Sequence, residues 1–149
     1  ISNGNTFVKT KDLTGKKVIA KIDLENNSIS GFPDSYFNSI IKYSNDNFYL
    51  QLSTKYVGSF YTDNYAEKLP SLLRIYPKLT DYIDNKVDSY FLINLFVSNE
   101  FDVEYIQSKI KLYLQVNNLT NNLYAAYGIG GEFFPAAERN YLFGVKINL

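Results

Sequence analysis

The chain has 149 residues, the length of one domain, and contains no Cys, His, Met or Trp, which excludes disulfides, thiolate or imidazole zinc sites and every Ser-His or Cys-His nucleophile within it. Fifteen Lys plus Arg balance fifteen Asp plus Glu, so there is no basic footprint for nucleic acid. No apolar run reaches the ~18 residues of a membrane helix, but a membrane strand needs only about 10 and alternates in polarity.

Aromatic residues make up 17% of a chain that is only 46% hydrophobic, so aromatic and polar residues have to alternate. The chain opens on Ile1 and a polar stretch with no basic or apolar leader, as expected of a piece cut from a longer chain. Residues 6–10 and 17–24 predict one or two short strands, and residues 35–43 a further one, patterned less cleanly. Ser44, Asn45, Asp46 and Asn47 then form a tight turn.

A strand over 48–60 follows, with Phe48, Leu50, Leu52, Thr54, Tyr56, Gly58 and Phe60 facing away from Tyr49, Gln51, Ser53, Lys55 and Val57. The long connection 61–86 holds Leu69, Leu72, Leu73 and Tyr76 at helical spacing after Pro70 and before Pro77, which predicts a helix of two turns. Residues 87–101 put Phe91, Ile93, Leu95 and Val97 opposite Asn94 and Ser98, and 99–105 is a short turn. Residues 106–119 oppose Ile110, Leu112, Leu114 and Val116 to Lys109, Lys111, Tyr113, Gln115 and Asn117.

After the long connection 120–138, the final strand carries Tyr141, Phe143, Val145, Ile147 and Leu149 on one face and Asn140, Leu142, Gly144, Lys146 and Asn148 on the other. Short turns and long loops alternate, so they segregate to opposite ends of an antiparallel sheet. Eleven residues at about 3.3 Å reach roughly 36 Å, and a tilt near 45° leaves about 25 Å, the height of a lipid-facing band. A continuous apolar row across four strands must face lipid or another layer.

Four stretches resemble a known family: SGFPDSYFN (30–38), YVGSFYTDN (56–64), VNNLTNNLYAAYG (116–128) and FFPAAERNYLFGVKINL (133–149). Their order and spacing resemble the C-terminal end of TonB-dependent outer-membrane receptors. The resemblance implies an all-β chain of long antiparallel meander strands, the last five to seven of a transmembrane barrel of about 22 strands, open and curved when alone. It implies a bacterial outer-membrane receptor that imports iron-siderophores, cobalamin, oligosaccharides or peptides, with no catalysis and no cofactor. Implied partners are outer-membrane lipid and lipopolysaccharide, the remaining strands and plug of the same receptor, the TonB complex through a missing N-terminal part, and the barrel assembly machinery. Lys9, Lys11, Lys16 and Lys17 then read as loop charge against lipopolysaccharide.

In this setting Leu50, Leu52, Ile93, Leu95, Leu112, Leu114, Phe143 and Val145 face lipid. Gly144, Ile147 and Leu149 match the assembly signal at the end of such barrels, with two departures: Leu142 at a polar place and Leu149 for the usual aromatic. Gly144 also leaves room for a neighbouring side chain. By position, Tyr61, Asp63, Asn64, Tyr65, Tyr124, Tyr127 and Glu132 are the ligand-binding candidates, since rings and amides suit stacking and hydrogen bonding.

Other motifs read as structure. Asn117 points inward with Gln115, while Asn118 satisfies backbone groups where the chain turns. Gly128, Gly130 and Gly131 form a flexible loop tip, because no helix follows to bind a phosphate. Asp81, Asp84 and Asp88, with Asp63 and Asn64, are solvated loop groups rather than a metal site. The acceptor patterns at Asn26 and Asn118 are disregarded as glycosylation sites. Two alternatives stand beside the receptor: a soluble carbohydrate-binding or adhesin β-sandwich, and a passive porin without a plug.

Overall fold

The computed structural model describes residues 4–106 and 108–148. Among the described residues strands take 56% and helix 8%, paired antiparallel and forming no closed barrel, so the fold is all-β. In chain order the elements are β1 (Asn5–Lys11), β2 (Lys17–Asp23), β3 (Tyr36–Asn45), β4 (Phe48–Val57), β5 (Phe60–Tyr61), α1 (Leu69–Ile75), β6 (Lys86–Val87), β7 (Tyr90–Val103), β8 (Ser108–Asn117), β9 (Ala125–Ile129), β10 (Glu132–Pro135) and β11 (Asn140–Asn148). They form two compact units, one of residues 35–57, 90–124 and 136–148, the other of residues 4–34, 58–89 and 125–135.

The first unit is a five-stranded open sheet in the order β11-β8-β7-β4-β3. Its register carries the alternation of each strand across to the next. Phe143 lies opposite Leu114 and Val145 opposite Leu112. Leu114 meets Val97, and Val116 meets Leu95. Leu95 pairs with Leu52 and Val97 with Leu50, while Leu52 and Leu50 pair with Ile41 and Tyr43. One face is therefore apolar from edge to edge, and cross-strand contacts of this kind are what stabilise a sheet. The other face carries Lys42, Gln51, Ser53, Asn94, Gln115 and Lys146 in the same ladders.

Strand ends depart from the sequence expectation where local chemistry breaks the ladder. The strand expected over 48–60 stops at Val57, paired with Tyr90, because Gly58-Ser59 and Asp88-Ser89 lie next along the two chains and favour no strand. Phe60 and Val87 instead pair in a separate short ladder, β5 with β6. At the opposite end β7 runs on to Val103, so the short turn expected over 99–105 begins later, with a 3-10 turn at Glu104–Ile106. The β3-β4 turn is tight as expected, with the Asn45 side chain accepting the Asp46 amide at 2.7 Å and the Asn47 carbonyl accepting the Glu100 amide at 2.8 Å.

The second unit holds a β1-β2 ribbon, the β5-β6 ladder, α1 and the β9-β10 hairpin. The two early strands thus pair with each other and not with the five-stranded sheet. On the inner side of the ribbon Ala20 and Ile22 are buried, while Phe7 and Ile19 on the outer side are about two-thirds exposed, at 69% and 68%. Helix α1 has the two turns expected, with Pro70 in its first turn and the Tyr76 amide closing onto the Leu72 carbonyl before Pro77. The Lys68 ammonium just before it donates to the carbonyls of Asp23 and Glu25, which ties the helix to the ribbon.

Gly144 shows why a residue without a side chain sits in the last strand. It pairs with Tyr113, whose ring occupies the space a Cβ at 144 would fill. That ring also stacks on Phe96 at 6.0 Å, and Phe96 meets Tyr49 edge-on at 5.9 Å, so an aromatic diagonal crosses the polar face. We expect Gly144→Val to displace Tyr113 and cost about 1–3 kcal/mol. In a urea melt, the same substitution in a Tyr113→Ala background should cost clearly less.

Candidate functional site

The end of the sheet opposite its short turns is closed by asparagines. β8 ends because Asn118 adopts a left-handed φ of 53°, a conformation Asn tolerates better than most residues. Its side chain then does the work of a turn: Nδ2 donates to the Asn122 carbonyl at 2.8 Å, and Oδ1 accepts the Asn122 amide at 2.9 Å. The Asn118 amide donates to Asn94 Oδ1 at 2.8 Å, and Asn121, at the same φ of 53°, accepts the Arg139 amide at 2.9 Å. Asn118 is 4% exposed, and its structural role agrees with the sequence expectation. Asn117 faces the polar side and links Gln115 to Asn140.

On that polar face, Tyr49, Gln51, Asn94, Phe96, Gln115 and Asn117 line a concavity of about 360 Å³. Neutral amides, hydroxyls and ring faces dominate it. Such a surface offers hydrogen bonds and stacking without net charge.

The second unit is organised around Asp63. Its Oδ1 accepts the Tyr65 amide at 2.7 Å and Asn85 Nδ2 at 2.8 Å, and its Oδ2 accepts the Tyr82 hydroxyl at 2.6 Å. Asn85 also donates to the Ala66 carbonyl, and its own carbonyl accepts the Thr62 amide at 2.8 Å. Asn27, 1% exposed, donates to the carbonyls of Asn64 and Tyr65. Burial, reinforced by the hydrogen bond to Asp63 and by its charge, pushes the Tyr82 phenol well above the ordinary tyrosine range, and Tyr65 moves the same way through burial and the Asp63 charge.

The glycine hairpin packs on this hub. Gly130 and Gly131 form the two-residue turn between β9 and β10, with Gly130 at a φ of 56°. The Tyr82 side chain takes the space that a Cβ at Gly131 would need and crowds one at Gly130. Thr62 donates its hydroxyl to the Gly130 carbonyl and accepts the Gly130 amide on its own carbonyl at 3.1 Å. The expected loop tip is therefore a packed hairpin turn rather than a loose one.

Six of the seven ligand-binding candidates, Tyr61, Asp63, Asn64, Tyr65, Tyr127 and Glu132, belong to this unit, whereas Tyr124 belongs to the sheet unit, its ring tilted against Tyr90 with centroids 4.2 Å apart. Asp63 spends its carboxylate on its own loop. Tyr61 lies under the Lys86 ammonium at 5.8 Å, and Tyr127 stacks on Phe134 at 6.4 Å. Asn64 and Glu132 are exposed. Asp81, Asp84 and Asp88 are exposed as well, and among the described residues no group of three carboxylates is placed to hold a metal ion.

By register, Leu50, Leu52, Ile93, Leu95, Leu112, Leu114, Phe143 and Val145 share the apolar face, with Ile147 beside them and Gly144 on the polar one. Leu149 lies outside the described residues. Asn27, Thr62, Tyr82 and Asn85 were not singled out in the sequence, where each is one polar residue in a polar loop. No protein-family model and no curated protein matches the chain.

Two outcomes follow. Asn118→Gly should destabilise less than Asn118→Ala in a chemical melt, although it removes more atoms. Alanine loses the same hydrogen bonds, about 1 kcal/mol each, and keeps the left-handed strain of about 1–2 kcal/mol. Because the Tyr82 pKa is raised on folding, its contribution is complete below the unfolded value of about 10 and is lost as pH rises beyond it. Melting temperature should fall above about pH 10 in the native chain and fall less steeply in Tyr82→Phe, as thermal melts across that pH range will read.

Proposed function

We propose that the chain is a section of barrel wall from a TonB-dependent outer-membrane receptor, which binds a nutrient outside the cell and imports it actively. The observation that carries the proposal is the division of five paired strands into one apolar and one polar face. Ile41 and Phe143 on the apolar face remain 65% and 66% exposed, and in this reading lipid is what covers them. Three of the five strands have ten residues, reaching roughly 33 Å, or about 23 Å along the normal at a 45° tilt.

Five strands do not enclose a lumen, so in this setting the wall is completed by further strands of the receptor around its plug. The polar face, with its amides and aromatic diagonal, then looks inward. Its partners are outer-membrane lipid and lipopolysaccharide on the apolar side, and the TonB complex and assembly machinery through the whole receptor. Iron-siderophore, cobalamin, oligosaccharide or peptide are the nutrient classes. In the second unit Tyr61, Asn64, Tyr65, Tyr127 and Glu132 are the groups offered to the nutrient, with Asp63 holding the loop that presents several of them; Tyr124 is the candidate in the sheet unit. The proposal contains no catalytic step.

The absence of cysteine allows single labelling at neighbouring positions. In vesicles, a fluorophore on Leu114→Cys should be quenched severalfold more strongly by acyl-chain nitroxides than one on Gln115→Cys. Leu114→Arg should cost about 2–4 kcal/mol of membrane stability, with Gln115→Arg far milder. Equal quenching at both positions, or a monodisperse monomer melting cooperatively in plain buffer, overturns the proposal.

A further inference from the structure

The turn end of the β1-β2 ribbon gathers positive charge, and among the described residues no ion pair engages its lysines. Lys11 and Lys17 lie directly opposite each other in the ladder, and Lys9 lies opposite Ile19 on the same face. Like charges placed across a strand pair are unfavourable. Lys78, which follows α1 in the chain, joins these three and Thr10 in lining one concavity of about 310 Å³.

Among the described residues, ion pairs join Lys109 to Glu100 and Asp102, and none involves these four lysines. Asp12 is the one carboxylate between Lys9 and Lys21 in sequence, and its Oδ1 is taken by the turn, accepting the Thr14 amide, the Thr14 hydroxyl and the Lys16 amide. Asp12 keeps its charge, so four lysines that line one hollow large enough for a phosphate face a single neighbouring carboxylate in this stretch and leave a net positive charge there.

The same outer face also exposes Phe7 and Ile19, set among Lys9, Lys11, Lys17 and Lys21. Apolar side chains between lysines match a ligand that is apolar at one end and anionic at the other. Lysine stems can lie along acyl chain while their ammonium groups reach the headgroup.

We propose that the turn end of this ribbon binds the phosphate headgroup of an amphiphilic lipid, with Lys9, Lys11, Lys17 and Lys78 around the phosphate and Phe7 and Ile19 against the adjoining acyl chain. The site lies wholly in the second unit and stands on these residues whether or not the five-stranded sheet is a membrane wall.

Titration calorimetry of the full chain in a nonionic detergent tests it, with dihexanoyl phosphatidic acid, dihexanoyl phosphatidylcholine and inorganic phosphate as probes. Phosphatidic acid should bind, weaken with added salt, and exceed both other probes in affinity. Each Lys→Gln change at 9, 11, 17 or 78 should weaken it about fivefold, and F7S/I19S should weaken phosphatidic acid but not inorganic phosphate. Lys→Arg at all four positions should retain binding. K42Q/K55Q/K111Q/K146Q removes four positive charges from the sheet unit, more than any of the single changes, and should leave binding unchanged, with thermal melts confirming that every variant compared is folded. Equal binding by the native chain and folded single Lys→Gln variants overturns the site. Inorganic phosphate binding as tightly as phosphatidic acid, with no effect of F7S/I19S, overturns the lipid assignment.

Discussion

A period of two, kept in register through five antiparallel strands, is the constraint on which the rest of this structure depends. Each strand alone separates apolar from polar side chains only along its own length. Pairing Phe143 with Leu114, Leu114 with Val97, Val97 with Leu50 and Leu50 with Tyr43 turns five separate stripes into one continuous surface. A surface of that extent is stable only when something apolar covers it. The proposal of a membrane wall follows from that requirement, and the polar face behind it follows from the same register.

Both ends of the sheet are held by side chains that substitute for backbone partners. At the short-turn end Asn45 and Asn47 fix the β3-β4 corner and join it to β7. At the other end Asn118 and Asn121 accept left-handed backbone and supply the bonds the turning chain lacks. In the second unit Asp63 plays the corresponding part for a loop, drawing Tyr65, Tyr82 and Asn85 onto one carboxylate. Candidate binding rings such as Tyr61 and Tyr65 therefore sit on a braced loop, which lowers the ordering cost of any ligand they meet.

The strands of the sheet were legible because alternation is a local property. Residues such as Leu112, Tyr113, Leu114 and Gln115 declare their faces without reference to anything distant. The room left by Gly144 was legible for the same reason, although its occupant, Tyr113, required the pairing register. What was not legible depended on contacts far apart in sequence. Nothing near Thr62 announces that it bonds Gly130, nor near Asn27 that it closes onto Asn64 and Tyr65. Likewise the ladder break at Gly58-Ser59 needed Asp88-Ser89 beside it, and the lysines of the first ribbon became a cluster only with Lys78. The candidate ligand residues were chosen by position in loops, and the structure assigns Asp63 a bracing task that position alone did not reveal.

The two-residue corner between β3 and β4 also limits how this chain can change in length. Asn45 and Phe48 face each other across Asp46 and Asn47, with no slack to absorb a shift. Deleting one residue from the middle of β4 would turn every side chain beyond the deletion through to the opposite side, sending Lys55 where Thr54 had been. Removing or adding two residues together preserves the parity of both surfaces and alters only the height. Viable length variants of these strands are therefore confined to even steps.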